Sequence, residues 1–174
     1  VLFEVHVTPE AQTALAEALL AVNPDVLFAS VRQGGKVFLA QEGYAQLAGF
    51  KDHKRDPSEM GAHTLAEVLA QPSLKLIARH AQLSPRQLLR QIEALNLSGF
   101  AATISGAPFV EVLAKGVNKA WGLAQLCQYL GIHASEVLAF GDALNDAEML
   151  AWAGRSVAMK NAEPEAQQAA HEVT

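Results

Sequence analysis

A chain of 174 residues, 51% hydrophobic and 18% charged, is long enough for one large domain or two small ones and has the composition of an ordered globular protein. A net charge of −5 offers no basic field for nucleic acid, and no apolar run approaches the ~18 residues of a bilayer span. The single cysteine, Cys127, excludes an internal disulfide framework and a cysteine-based zinc site. With no signal-peptide pattern at its start, the chain is expected to be cytoplasmic, with no nucleic-acid and no membrane partner.

Leu2–Val7 alternates as a strand would, and Thr8 then caps a helix with Pro9 at its first position, running to about Val22. Val26–Val31 and Lys36–Ala40 flank Gly34-Gly35 as a hairpin. The charged, Pro57-containing stretch Gly49–Gly61 reads as a loop. A short helix over Thr64–Gln71, a strand over Leu74–Arg79 and a helix from Ser84-Pro85 to about Leu95 follow. Phe100–Ile104 and Phe109–Leu113 form a second hairpin around Ser105–Pro108. Residues 1–114 are thus expected to be an α+β module, an antiparallel sheet with helices on one face.

From residue 115 the pattern changes to α/β. Val117–Leu130 is helical and stops at Gly131, and then come a buried strand Val137–Phe140, helix Asp146–Ala153, strand Ser156–Met159 and a helix from about Pro164 to Ala170. Residues 115–174 are expected to be part of a parallel-sheet domain, and two strands are too few for a whole one. One edge of Val137–Phe140 should be open, which would favour a homo-oligomer. The first residue falls inside a β-rich run, and Ala170–Thr174 reads as the start of another strand. The chain is therefore expected to be part of a longer polypeptide.

Chemistry concentrates after Phe140, in Gly141-Asp142-Ala143-Leu144-Asn145-Asp146. In open α/β sheets ligands bind beyond the carboxyl ends of the strands. Asp146 alone would serve as a cap for the helix beginning at Ala147, but a cap needs one carboxylate. Two carboxylates around one turn suit Mg²⁺, which takes one or two of them and fills its octahedron with water and phosphate oxygens. Lys119, in the first turn of the preceding helix, is a candidate phosphate contact. Asn145 either donates to a phosphate oxygen or fixes the turn. Lys160 and Asn161 follow the next strand and face the same region, with Asn161 the expected cap of the last helix, while Lys115 reads as a hinge residue. The six histidines show no metal-ligand spacing. Lys51, His53, Lys54 and Arg55 form a small basic cluster, ordinarily a solvated surface but able to meet an anionic substrate.

Lys115–Ala120, Phe140–Leu150 and Ala153–Ala162 together closely resemble the C-terminal motifs of haloacid dehalogenase-like (HAD) phosphatases, in particular the Cof-type subgroup. That resemblance implies an α+β cap over residues 1–114 that selects the leaving group, followed by the C-terminal part of a Rossmann-like core over 115–174. It implies Mg²⁺ as cofactor, Asp142 as direct metal ligand, Asp146 positioning metal-bound water, Lys119 contacting phosphate and nucleophile, and Asn145 near the phosphate. The implied reaction is hydrolysis of a phosphate monoester through an aspartyl-phosphate. The substrate would be a small phosphorylated metabolite: a sugar phosphate, a nucleotide or a phosphorylated cofactor. The nucleophile motif of the family, Asp-x-Asp-x-Thr, is not among these residues, so the chain by itself is expected to be inactive. Two alternatives share parts of the pattern. One is the phosphorylation domain of a P-type cation pump, which usually reads Pro-Ala-Leu after Asn-Asp where this chain has Ala147-Glu148-Met149. The other is a non-catalytic binding or assembly module.

Overall fold

The structure is a computed structural model that describes residues 3–174. Contacts divide it into two compact units, the residues up to Lys115 and Gly116–Thr174.

The first unit is built on strands β1 (Leu27–Arg32), β2 (Val37–Ala40), β3 (Lys75–Arg79), β4 (Phe100–Thr103) and β5 (Val110–Ala114), in the spatial order β2-β1-β3-β5-β4. All neighbours pair antiparallel. Both expected hairpins, β1–β2 and β4–β5, are present. Period-two alternation splits the sheet into two faces. On one, the guanidinium of Arg32 donates to the carbonyls of Glu67 and Val68 at 3.0 and 2.7 Å, which fixes helix α4 (Leu65–Leu69) there. Helices α1 (Pro9–Val22) and α5 (Pro85–Ala94) pack with it. Each of these helices starts on a side-chain cap: Thr8 accepts from Ala11 N–H, while Thr64 and Ser84 form capping boxes with Glu67 and Gln87.

Two expectations for this unit are corrected. The strand over Leu2–Val7 does not form: Val7 alone pairs, exchanging hydrogen bonds of 2.8 and 3.1 Å with Ser73. Residues 3–6 join no ladder, because the edge offered to this segment is the single bridge at Ser73, and Leu2 lies outside the described residues. The stretch Gly49–Gly61 is not a plain loop. It carries helix α3 (Phe50–His53) and a 3-10 turn (Pro57–Glu59), preceded by helix α2 (Tyr44–Leu47). Tyr44 and Met60, both fully buried, pack on Ala29, Ala40, Ile77 and Phe109, so this segment covers part of the other sheet face.

The second unit has strands β6 (Leu138–Gly141), β7 (Arg155–Ala158) and β8 (Glu172–Val173), parallel and in that order. The strand expected past Ala170 is therefore β8, and Ser156 ties it in through a 2.8 Å hydrogen bond with His171 Nδ1. Helices α7 (Ala147–Trp152) and α8 (Pro164–Ala169) bury Ala139, Leu150, Ala153, Ala158 and Ala166 on one side of the sheet. Helix α6 (Lys119–Leu130) is capped by Asn118 and closed by Gly131 in the left-handed conformation at φ 70°. The expectation of a strand buried throughout is corrected here. Leu138 and Phe140 are 53% and 57% exposed, because among the described residues the helices cover only one face of β6. No helix of the described residues is long and apolar enough to cross a membrane.

Candidate active site

β6 delivers its last residue, Gly141, to the carboxyl end of the sheet, and the chain turns there because Asp146 folds back on it. The Asp146 carboxylate is almost fully buried. Its Oδ2 accepts the backbone N–H groups of Asp142 (3.0 Å) and Ala143 (3.1 Å), and its Oδ1 accepts the ammonium of Lys119. It makes no side-chain bond to the first turn of α7, so the simple helix-cap reading of Asp146 does not hold. Gly141 is required by this fold-back: a Cβ there would lie 2.5 Å from Asp146 Cβ and 3.1 Å from its Oδ2. Burial pushes the Asp146 carboxyl upward, but the Lys119 hydrogen bond and the two backbone N–H groups outweigh it and hold the group below the usual carboxylate range.

Lys119 is the first residue of α6, with Asn118 accepting Trp121 N–H at 2.8 Å behind it. An ammonium has three donors, and Asp146 uses one. Asp142 is exposed at the strand end, and Asn145 is partly buried with its Oδ1 enclosed and without a hydrogen-bond partner. The loop after β7 lies against this turn through Met159 N–H to Gly141 O (3.0 Å) and Glu163 N–H to Asp142 O (2.8 Å). Lys160 and Asn161, in that loop, are exposed. Asn161 is not the cap of α8, whose N-cap residue is Glu163, and Lys115 is exposed. So the structure brings Lys119, Asp142, Asn145 and Asp146 together. Two participants escaped the sequence reading: Gly141, whose missing Cβ makes room for Asp146, and the Ala143 N–H. The signal for the first was a glycine placed directly before the strand-end aspartate.

The donors here are oxygens only, which suits a hard cation, and the orphaned Asn145 Oδ1 is a further oxygen beside the two carboxylates. Of the roughly four acceptor positions of a carboxylate, Asp146 has three occupied by protein donors, so it is better placed to accept one more hydrogen bond than to coordinate an ion. Asp142 has no such engagement of its carboxylate by the turn. Among the described residues no group of three His, Cys, Asp or Glu side chains could hold a metal by itself.

An antiparallel α+β unit followed in the chain by a parallel-sheet unit with a lysine–aspartate pair and a second aspartate at its strand ends is a HAD-like combination. The chain belongs to the haloacid dehalogenase-like hydrolase family, whose pattern it matches over residues 3–174. It is 38% identical over 119 residues to an HMP-PP phosphatase of Klebsiella pneumoniae, covering 68% of this chain and 40% of that protein. Among solved structures it resembles a HAD phosphatase of Bacteroides thetaiotaomicron (TM-score 0.72, 26% identity, 98% of this chain and 60% of that one). It also superposes on a HAD subclass IIB sugar phosphatase with TM-score 0.80 at 19% identity, over all of this chain and 64% of the other. The chain thus spans about two-fifths of the curated relative and under two-thirds of the solved structures.

Proposed function

We propose that this chain supplies the metal-and-lysine side of a Mg²⁺-dependent phosphatase that hydrolyses a small phosphorylated metabolite. The observation that carries the reading is Asp146: a buried carboxylate clamped by two backbone N–H groups and by Lys119, with Asp142 free at the strand end. Asp142 and, beside it, Asn145 would hold the ion, and Mg²⁺ there supplies positive charge to a transferring phosphoryl group. Asp146 keeps Lys119 at the strand ends, and the two remaining ammonium donors are available to phosphate oxygens. Asp146 also has one acceptor position left for a water. The phosphoryl group would pass to an aspartate nucleophile as its P–O ester bond breaks and the alcohol leaves, and water would then hydrolyse the aspartyl-phosphate to free carboxylate and inorganic phosphate.

That nucleophile is not supplied by these 174 residues, in which no Asp-x-Asp occurs. The uncovered face of β6, with Leu138 and Phe140 exposed, supports the same view, since parallel sheets are ordinarily covered on both sides. The names of the relatives, an HMP-PP phosphatase and a sugar phosphatase, support a phosphorylated small molecule as substrate. The single, buried and unpaired Cys127 suits a reducing cytoplasm.

The test has two arms. Protein expressed from the complete reading frame should release phosphate from p-nitrophenyl phosphate only with Mg²⁺, and Asp142→Asn should abolish it. The 174-residue chain should show no turnover, because charge placement without a nucleophile leaves only ~10³–10⁴ of acceleration. An inactive complete protein would overturn the phosphatase reading. Mg²⁺-dependent turnover by the 174 residues, lost in Asp142→Asn, would overturn the need for a nucleophile from elsewhere.

A further inference from the structure

Helix α6, in the second unit, begins in a way that helix stability alone does not call for. Its first residue is Lys119, a cation at the positive end of the helix dipole, where acidic residues are favoured, and its first turn holds no acid. Three residues on stands Gly122. A Cβ there would meet no described atom within 4 Å, so no close packing asks for glycine, which weakens a helix relative to alanine. Helices α4 and α5 start on reciprocal capping boxes, in which Glu67 and Gln87 bond back to the cap residue. The corresponding place in α6 is taken by Trp121, whose indole has no acceptor to return such a bond.

The start of α6 therefore depends on Asn118. Its Oδ1 accepts Trp121 N–H at 2.8 Å, and its carbonyl accepts Gly122 N–H at 3.1 Å. Asn118 itself stays extended, at φ −149° and ψ −177°, so the helix begins at Lys119 and no earlier. Lys119 then runs between two fixed points. Its ammonium meets Asp146, which two backbone N–H groups pin to the turn after β6. Its Cα is held by the cap. Between them lies a flexible aliphatic stem, half-exposed, so packing restrains it little. Without the cap, Trp121 N–H loses its acceptor, the first turn frays, and the Asp146 end is the anchor that remains.

We propose that Asn118 is a positioning residue for the phosphoryl-transfer site: by capping a weakly built first turn, it sets where the Lys119 ammonium stands relative to the strand-end carboxylates. It acts through Lys119 and not on the phosphate. The proposal rests on the phosphatase reading for what Lys119 does, and on the geometry of the second unit for how Lys119 is held. A misplacement of ~1 Å can cost on the order of 10²-fold in rate. Loss of the cap loosens the ammonium without removing it, so a smaller cost, about tenfold, is expected.

The first arm of the test uses protein from the complete reading frame, with p-nitrophenyl phosphate and Mg²⁺. Asn118→Ala should lower kcat/KM about tenfold, and Asn118→Ser, an equivalent cap, should restore it to within about twofold of wild type. Gly122→Ala separates position from stability. Added to Asn118→Ala, it should return the urea midpoint toward wild type, because alanine offsets a comparable loss of helix stability, while kcat/KM stays low. The second arm needs no activity. In the 174-residue chain, the fold-change that Lys119→Met causes in the unfolding constant should be at least about twofold smaller once Asn118 is replaced by Ala. Three results would overturn the proposal: full activity of Asn118→Ala, recovery of activity together with stability in the Asn118→Ala/Gly122→Ala protein, or an effect of Lys119→Met on unfolding that ignores Asn118. An inactive complete wild-type protein would sink the phosphatase reading instead, and the unfolding arm would still decide whether Asn118 holds Lys119 in place.

Discussion

Replacing Asp146 by Asn tests whether the buried carboxylate organises the strand-end turn. The two side chains have nearly the same shape, so the change isolates charge and hydrogen-bonding sense. Asp146 faces donors on both sides: two backbone N–H groups at Oδ2 and the Lys119 ammonium at Oδ1. An amide must turn its NH₂ toward one of them. Turned toward the backbone, it would leave two buried N–H groups unsatisfied, at about 1–3 kcal/mol each. Turned toward Lys119 it costs less, because that side chain is 48% exposed and can swing into water. In that orientation two charge-assisted hydrogen bonds become neutral ones, a loss of about 1 kcal/mol each. With the weakened lysine contact, the expected destabilisation is about 2–3 kcal/mol. Asp142→Asn, at an exposed position, should stay within about 0.5 kcal/mol of wild type. The assay is urea unfolding followed by tryptophan fluorescence. Both tryptophans, Trp121 and Trp152, lie in the second unit, so the signal reports that unit alone. The acid limb gives a second reading. A carboxyl held below its ordinary 3.8 contributes stability above that pH and loses it as pH falls through the folded value, so wild type and Asp146→Asn should converge in acid. An Asp146→Asn protein as stable as Asp142→Asn at pH 7 would refute the clamp.

Gly141→Ala puts a methyl group 2.5 Å from Asp146 Cβ, and overpacking of this kind should cost about 1–3 kcal/mol in the same fluorescence assay. Because the displaced Asp146 no longer holds the turn, Mg²⁺ affinity measured by calorimetry should fall as well. Unchanged stability and affinity would show that the turn relaxes freely. His53 predicts an acid-sensitive first unit. Its folded pKa, about 4 against an ordinary 6.5, means that the unfolded chain binds the proton more readily. Stability is therefore full above pH 6.5 and drains as pH falls toward 4, by on the order of 1–2 kcal/mol once solvent screening of a half-exposed ring is allowed for. His53→Gln can still bond Tyr44 but cannot titrate. Urea unfolding by far-UV circular dichroism should show a smaller loss for the variant between these two pH values, and an equal loss would assign the effect to other groups.

What could be read before the structure was what is encoded locally. Thr8-Pro9, Thr64 with Glu67, and Ser84-Pro85 with Gln87 state helix starts within four residues, and each is a real cap. Asp142 and Asp146 could be placed together because one turn joins them, and Lys119 because it opens the helix before their strand. The failures share a different cause. The expected strand over Leu2–Val7 had the right alternation, yet a strand also needs an edge to pair with, and only Val7 finds one, at Ser73. The apolar run Val137–Phe140 suggests a buried strand, whereas burial depends on what covers both faces, and Leu138 and Phe140 are uncovered here. The mutual packing of the Phe38, His53 and Phe109 rings is the extreme case. Phe38 and Phe109 come from different hairpins, and His53 from a stretch that composition alone marks as loop. The register of β1 against β2 and β3, and of β3 against β5, brings the two hairpins onto one face, and α3 lays His53 against it. The groups proposed to handle phosphate are thus local in sequence and legible as a motif, while the aromatic cluster of the first unit is assembled by tertiary pairing.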